Sequence, residues 1–510
     1  MSFLTASRAT TARPAHDEAL RAAGRRASSA PVDWERLSGP ELIDALDRDL
    51  GEASDRLSYL VLALLDRGVP STARVVEFTR RWRVDGLSAP LTAEYRRGRA
   101  PRRPRPFVIV DGVIMDVTDT SRSRFTTGIQ RVARETVTRW GRGHDVVLAA
   151  WDVTGRQLGA LTAEETGRVL LDDSVATVPV AAGTVVIPFD ATFVLPEITV
   201  AAERTASVRS VVRFGTSRSV AIGYDCIPVT TAETSGPGMP GAFSEYLATL
   251  GHFDVVAPIS SAARTEYSGW AAMLPGAGLA PPRIETVSLP AEVGSVDDET
   301  VDRVRAELGL VDTPVVLSVG SHEPRKNHLA LLTAAELNWR AGHEFTLVLV
   351  GGNAWGDGEF QHMVRTLRRK GRSVQMLSGV GDDVVWSLYR MARFSVFCSV
   401  NEGFGLPVVE SLVSGVPVVT SDFGSMRELG EGHGALVVDP HAPADIAHAM
   451  GRLLVDDELR EELVALTAGM PRPTWDDYAA RLWTLVDGPS AGSSVPEVDV
   501  VPARDGVAGA

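Results

Sequence analysis

The chain has 510 residues, 51 basic and 65 acidic, so the formal balance is 51 − 65 = −14. It is 44% hydrophobic and 23% charged, the proportions of a soluble globular protein of two or three domains. The acidic surplus argues against nucleic acid as a partner, which needs a basic surface, and no apolar run nears the ~20 residues that span a bilayer.

Residues 1–32 are rich in Ala, Arg and Ser, lack a hydrophobic signal core, and are expected to be disordered. The location expected is therefore cytoplasmic, with peripheral contact at the inner face of the membrane left open. Residues 33–106 read as a helical extension and a basic linker. Ser38-Gly39-Pro40-Glu41 has the spacing of a capping box. Leu42, Ile43, Leu46 and Leu50, then Leu57, Leu60, Val61, Leu64 and Leu65, recur at helical spacing. Val75, Val76 and Trp82 mark a further helix. The basic segment 96–105 is broken by Pro and Gly. It is either a solvated linker or a contact with an anionic membrane surface, where each basic residue is worth ~1 kcal/mol.

At Phe107 the pattern changes. Residues 107–111, 113–117, 146–150, 185–188, 220–223 and 255–258 read as short apolar strands, and 127–135 as a helix. From 314 a second set follows: strands at 314–319, 345–350, 374–377, 394–399, 417–420 and 435–438. Helices at 327–341, 359–370, 384–391, 407–414 and across 443–466 separate them. Strands alternating with helices predict mostly parallel sheets covered on both faces. This gives an N-terminal unit at 107–295 and a C-terminal unit at 296–474, with a cleft between them at the strand carboxyl ends. Residues 475–488 form a helix that crosses back onto the first unit, and 489–510 read as a disordered tail. The two cysteines, Cys226 and Cys398, lie in apolar surroundings and read as buried thiols, not as a disulfide or metal site.

Four segments carry candidate chemistry. In Asn401-Glu402-Gly403-Phe404-Gly405-Leu406-Pro407-Val408-Val409-Glu410 a strand ends, a glycine loop follows, and a helix opens at Pro407. Glycines let backbone N–H groups approach a ligand, and a helix start favours phosphate. Glu402 and Glu410 would lie ~12 Å apart on a continuous helix, but a folded-back loop lets both face one ligand. The alternative is that Glu410 complements the helix dipole and Glu402 is solvated. In Gly320-Ser321-His322-Glu323-Pro324-Arg325-Lys326-Asn327 two cations stand where a helix begins, an electrostatic misplacement of ~0.3–1 kcal/mol each. Either they point into solvent or they hold an anion, a diphosphate being the natural one. Thr127-Gly128 reads as a helix N-cap or a hydroxyl contact. Tyr224-Asp225, at a strand carboxyl end, reads as a turn or as a cleft-facing carboxylate.

Together these residues resemble the family 4 glycosyltransferases of the GT-B fold, over about 107–486. The likeness is strongest in VVLSVGSHEPRKNHLALL, LVLVGGNAWG, LSGVGDDVVWSLYRMARFSVFCSVNEGFGLPVVESLVSGVPVVTSD and GALVVDP, with TGIQRVARE at the first helix. The resemblance implies an α/β architecture of two Rossmann-like domains facing a cleft, beside the extra helical region. It implies a retaining transfer of a sugar, mannose or another hexose, from a nucleotide-diphosphate sugar to a glycan, lipid-linked or small-molecule acceptor. By it Glu402 would sit at the donor sugar and Glu410 would hold ribose hydroxyls. Lys326 and Arg325 would bind the diphosphate, Gly320 would lie beside it, and Gly403, Phe404, Gly405 and Leu406 would make backbone contacts. Val380, in Ser378-Gly379-Val380-Gly381, would lie by the base. Gly128, Tyr224 and Asp225 would line the acceptor side. The chain departs from the family pattern at Ser321, where many members have Arg, and at Tyr224, where many have His.

No Asp-x-Asp or His cluster in the α/β units suggests a metal ion, so neither metal nor cofactor is expected. Two alternatives stay open: a nucleotide-sugar-binding protein without transferase activity, and a sugar-nucleotide epimerase. A nicotinamide dehydrogenase is disfavoured, because no Gly-x-Gly-x-x-Gly follows the first strand.

Overall fold

The computed structural model describes residues 3–97 (side chains from residue 14), 105–123, 127–172, 174–310, 313–352 and 358–488. The expected tail at 489–510, and most of the basic linker, 98–104, lie outside the described residues.

Among the described residues the N-terminal region is five α-helices, α1 (Phe3–Ala27), α2 (Pro40–Asp49), α3 (Asp55–Asp66), α4 (Thr72–Asp85) and α5 (Ser88–Arg97), with a 3-10 turn at Trp34–Arg36. The disorder expected over 1–32 is wrong for residues 14–27. Ala19, Leu20 and Ala23 are fully buried, in one cluster with Trp34, Leu46, Leu60 and Trp82. The reason is close packing by small residues. A Cβ on Gly24 would lie 2.5 Å from the Trp34 indole, so only glycine lets that ring rest on α1. The same cluster takes in Val185, Ile187, Phe189 and Phe214. The helices therefore cover an edge of the first sheet. The expected capping box is half made: Glu41 accepts from the Ser38 backbone N–H at 3.3 Å, but the N-cap is Gly39, without a side-chain bond.

Among the described residues the first unit holds nine strands: β1 (Phe107–Val110), β2 (Val113–Asp116), β3 (Val146–Trp151), β4 (Leu158–Ala160), β5 (Val185–Pro188), β6 (Ala191–Leu195), β7 (Thr216–Gly223), β8 (Val255–Pro258) and β9 (Arg283–Ile284). Their order is β1-β5-β4-β3-β2-β6-β7-β8-β9, parallel except for β4, which runs antiparallel to both neighbours. All six residues of β3 are buried, as a strand covered on both faces requires.

The second unit holds β10 (Val315–Val319), β11 (Thr346–Val350), β12 (Val374–Leu377), β13 (Ala392–Phe397), β14 (Val418–Ser421) and β15 (Ala435–Val438). Their order, β12-β11-β10-β13-β14-β15, is wholly parallel. The chain reverses direction across the sheet between β10 and β13, and a doubly wound sheet opens its crevice at that point. The loops following those two strands are the two motif segments with charged residues. The helix Trp475–Asp487 crosses back and packs on the helix Gly128–Trp140, where the Trp140 indole N–H donates to Ala479 O at 2.9 Å. One apolar cluster runs through the seam, joining Val132, Val220 and Tyr224 of the first unit to Phe404, Val408 and Leu412 of the second. Cys226 and Cys398 are both buried and free.

Candidate active site

After β10 the chain turns through a short 3-10 helix, Pro324–Lys326, before the helix His328–Arg340 begins. Asn327 caps the join in a left-handed conformation, φ 58°, and its Nδ2 donates to Cys398 O at 3.1 Å and Pro440 O at 2.7 Å. The Val400 N–H donates to Arg325 O at 2.9 Å, so the loops after β10 and β13 are stitched together.

This brings both cations onto one carboxylate. Lys326 Nζ is 2.7 Å from Glu402 Oε1, and an Arg325 guanidinium nitrogen is 2.5 Å from Glu402 Oε2. The three side chains are only 12%, 17% and 9% exposed. The cations therefore do not point into solvent; a resident carboxylate compensates them. Burial alone would raise the Glu402 pKa, but Lys326 and Arg325 outweigh it and hold the group at about 2. Burial likewise opposes charge on Arg325, and Glu402 and Glu323 reverse the effect and raise it. Arg325 also donates to Asn401 O at 3.0 Å and Glu323 Oε1 at 2.7 Å. Ser321, in the place where the family often has Arg, donates to the same Glu323 oxygen at 3.1 Å. Lys326 Nζ stands 4.9 Å from the centre of the Phe397 ring, and its stem runs beside Gly320, where a Cβ would lie 3.7 Å from Lys326 Cδ.

The glycine loop meets the first unit directly. A Cβ on Gly403 would lie 2.3 Å from Tyr224 O and 3.2 Å from Asp225 Cβ. Ser260 Oγ donates to Gly403 O at 2.6 Å, and Asn401 Nδ2 reaches Glu266 Oε1 and Thr230 Oγ1, each at 3.3 Å. Glu428 of the second unit accepts from the N–H groups of Ser261 and Ala262, at 3.1 and 3.0 Å, where a first-unit helix begins. Asp225 therefore lies in the first unit directly beside the glycine loop that carries Glu402. Burial raises its pKa to about 6, although Arg325 and the Ile227 N–H pull the other way. Tyr224 does not replace the family's His as a sugar contact: it is 4% exposed and its hydroxyl donates to Pro196 O at 2.6 Å.

Glu410 stands in the helix Leu406–Val413, whose N-cap Gly405 has φ 102° and no side-chain cap. Its Oε2 accepts from Tyr389 OH at 3.2 Å, and its Oε1 meets an Arg131 guanidinium nitrogen of the first unit at 3.3 Å. Burial raises its pKa; Arg131 and Tyr389 oppose that. Phe404 is buried in the seam, and Leu406 faces the helix Gly128–Trp140, where a Cβ on Gly128 would lie 3.9 Å from Leu406 Cδ1. Thr127 is that helix's N-cap, with a full capping box to Gln130. Val380 packs against the apolar cluster of Leu388 and Tyr389, on the Glu410 side of the site.

The structure thus brings Arg325, Lys326, Glu402, Gly320, Gly403, Tyr224 and Asp225 to one place and Glu410, Leu406 and Gly128 to another beside it. Sequence reasoning did not single out Asn401, Glu266, Ser260 or Glu428, whose partners are distant in the chain, nor Glu323, whose partners Ser321 and Arg325 are two residues away in a segment already quoted. Arg131 lay inside a segment already quoted, and its helical position three residues after Gly128 was the available signal.

Residues 301–467 match the sequence model of the family described as Glycosyl transferases group 1. The chain is 29% identical over 234 residues to the serotype-specific mannosyltransferase WbdA of Escherichia coli, covering 44% of this chain and 28% of that one. It is 33% identical over 245 residues to the D-inositol 3-phosphate glycosyltransferase of Acidothermus cellulolyticus, covering 45% and 53%. The match thus spans between about a quarter and half of the length of these relatives. Among solved structures, WaaG, a glycosyltransferase of lipopolysaccharide biosynthesis, superposes with a TM-score of 0.52 at 16% identity, over 74% of this chain and 100% of that one. Anabaena HepE in complex with UDP and glucose gives 0.51 at 14%, over 74% and 97%. The fold is GT-B.

Proposed function

We propose that this chain, whose second unit is a group 1 glycosyl transferase domain, moves a hexose from a nucleotide-diphosphate sugar to an acceptor hydroxyl with retention of anomeric configuration. The observation that carries the reading is the meeting of Arg325, Lys326 and Glu402 where the second sheet's switch point lies, beside Asp225 of the first unit. The naming of relatives as mannosyltransferases favours mannose among hexoses. The acceptor is a glycan, a lipid-linked sugar or a small molecule.

As the glycosidic bond breaks, negative charge grows on the departing diphosphate. Lys326 and Arg325 are already fixed where that charge would fall, and fixed charges in a dry site stabilise it without reorganisation. In the donor complex they exchange part of their hold on Glu402 for phosphate oxygens. Glu402 is then released toward the sugar, while Glu410 takes the ribose hydroxyls. Asp225 orients the acceptor hydroxyl. The acceptor oxygen bonds to the anomeric carbon on the face that the diphosphate leaves, and its proton passes to the leaving phosphate oxygen. In this scheme the two cations do the work of a metal ion.

A thermal-shift panel of UDP-, GDP- and dTDP-sugars tests the reading, since a ligand at 100 times its Kd stabilises by ~2.7 kcal/mol. No shift with any of them defeats it. The anomeric coupling of the product, read by proton NMR, decides retention: an inverted linkage excludes it. Activity should persist in EDTA; loss restored by Mg²⁺ or Mn²⁺ would reveal a metal requirement.

A further inference from the structure

Arg131 ties together three elements at the seam between the units. It stands in the helix Gly128–Trp140 of the first unit. Its guanidinium reaches Glu410 in the second unit at 3.3 Å. It also lies over the ring of Trp475, the first residue of the crossing helix, with Cζ 5.7 Å from the ring centre. The Arg131 and Glu410 side chains are 29% and 12% exposed, so the pair is shielded enough to matter. Both contacts to Glu410, 3.3 Å from Arg131 and 3.2 Å from Tyr389, are longer than the 2.7–2.9 Å of a tight charge-assisted bond. Each carboxylate oxygen can accept two bonds. Glu410 is therefore held in place but has lone pairs left for incoming hydroxyls.

Building on the reading above, we propose that Arg131 is a donor-positioning residue: from the facing unit it holds the Glu410 carboxylate and keeps hold of it while the ribose binds. The groups facing Glu410 are Arg131 on the first unit's helix and Tyr389 and Asp382 on the helix Asp382–Met391. Burial and Asp382 favour the protonated acid; Arg131 and the Tyr389 hydroxyl favour the carboxylate. Arg131 is the cation among them, so its removal moves Glu410 toward the acid form, which holds ribose hydroxyls less well.

The test is Arg131→Gln and Arg131→Lys in the full chain, with calorimetric binding of UDP-glucose and GDP-mannose at pH 6 and pH 8. Arg131→Gln should raise the donor Kd about tenfold, ~1.4 kcal/mol, more at pH 6 than at pH 8, and leave kcat nearly unchanged. Arg131→Lys should recover much of the affinity. In the ligand-free protein, ¹³C-carboxyl NMR, with Glu410→Gln giving the assignment, should show the Glu410 titration midpoint moving upward in Arg131→Gln. An unmoved midpoint, or a donor Kd equal to the parent's at both pH values, overturns the proposal. Should the parent bind no member of the UDP-, GDP- and dTDP-sugar panel, the functional reading falls and the donor role of Arg131 with it, whereas the ligand-free titration still decides the hold on Glu410.

Discussion

At Glu402 burial and charge pull in opposite directions, and charge wins: two cations within 2.7 Å keep a nearly buried carboxylate ionised. This shapes what its removal should do. Glu402→Gln frees Lys326 and Arg325 for phosphate, so donor affinity should hold or improve while turnover falls steeply, the mark of an interaction made in the transition state. Glu410→Gln should do the reverse and raise the donor Michaelis constant by one or two charge-assisted bonds, ~1.5–3 kcal/mol each. Steady-state kinetics with calorimetry check both; near-parental turnover in Glu402→Gln would remove it from the reacting centre. Lys326→Ala should weaken donor binding more than Lys370→Ala, since Lys370 instead pairs with Glu336, on a carboxylate shared with Arg340 and Arg372. Equal dissociation constants would contradict this. Asp225 gives a pH signature. Burial raises its pKa to about 6, so it is ionised above that pH and protonated below. Acceptor kcat/KM should climb as pH rises through 6, and Asp225→Asn should flatten that limb. The stability sign is opposite: because the folded-state pKa is raised, what Asp225 contributes to stability is present at low pH and lost as pH rises through 6.

At the scale of elements, the glycine loop matters for what it lets approach. Gly403 lies against the backbone of Tyr224, and a methyl group there would meet Tyr224 O at 2.3 Å. Backbone on both sides cannot swing away as a flexible side chain can. Gly403→Ala should therefore force the units apart locally. We expect a loss of ~1–3 kcal/mol, as for overpacking elsewhere, with a large fall in activity from misplacement of Glu402. Denaturant unfolding and a turnover assay measure the two; parental values for both would mean the seam is looser than the contact implies. The helix after the loop was placed in the sequence to within a residue, because Pro407 at its start and the apolar run behind it are local signals. By contrast α1 was missed. Its buried face is Ala19, Leu20, Ala22 and Ala23 with Gly24 under Trp34, and small residues carry almost no hydrophobic periodicity.

For the whole molecule, the helical region is the cover of one sheet edge and not an appendage. Deleting residues 1–32 should strip α1 from a cluster that includes Trp34, Leu46 and the β5 residues Val185 and Ile187. The shortened chain should show a clearly lower Tm and lower soluble yield than the parent, by calorimetry and centrifugation. An unchanged Tm would show that α1 contributes nothing to the core. What the sequence by itself determined was local and repetitive: most of the parallel strands, legible because strands buried on both faces are continuous apolar runs, though not β6 or the two-residue β9, and the two loops of charge and glycine placed after β10 and β13. What only the tertiary structure decided was who meets whom. Lys326 and Glu402 are 76 positions apart, Asn401 and Glu266 135, Arg131 and Glu410 279. No periodicity reports such pairs: the first arises where β10 and β13 lie side by side in one sheet, the other two where the two units dock. Pairing of β10 with β13 turned two seemingly misplaced cations into partners of a buried carboxylate, and pairing of β6 with β7 turned Tyr224 from a candidate sugar contact into a core residue bonded to Pro196.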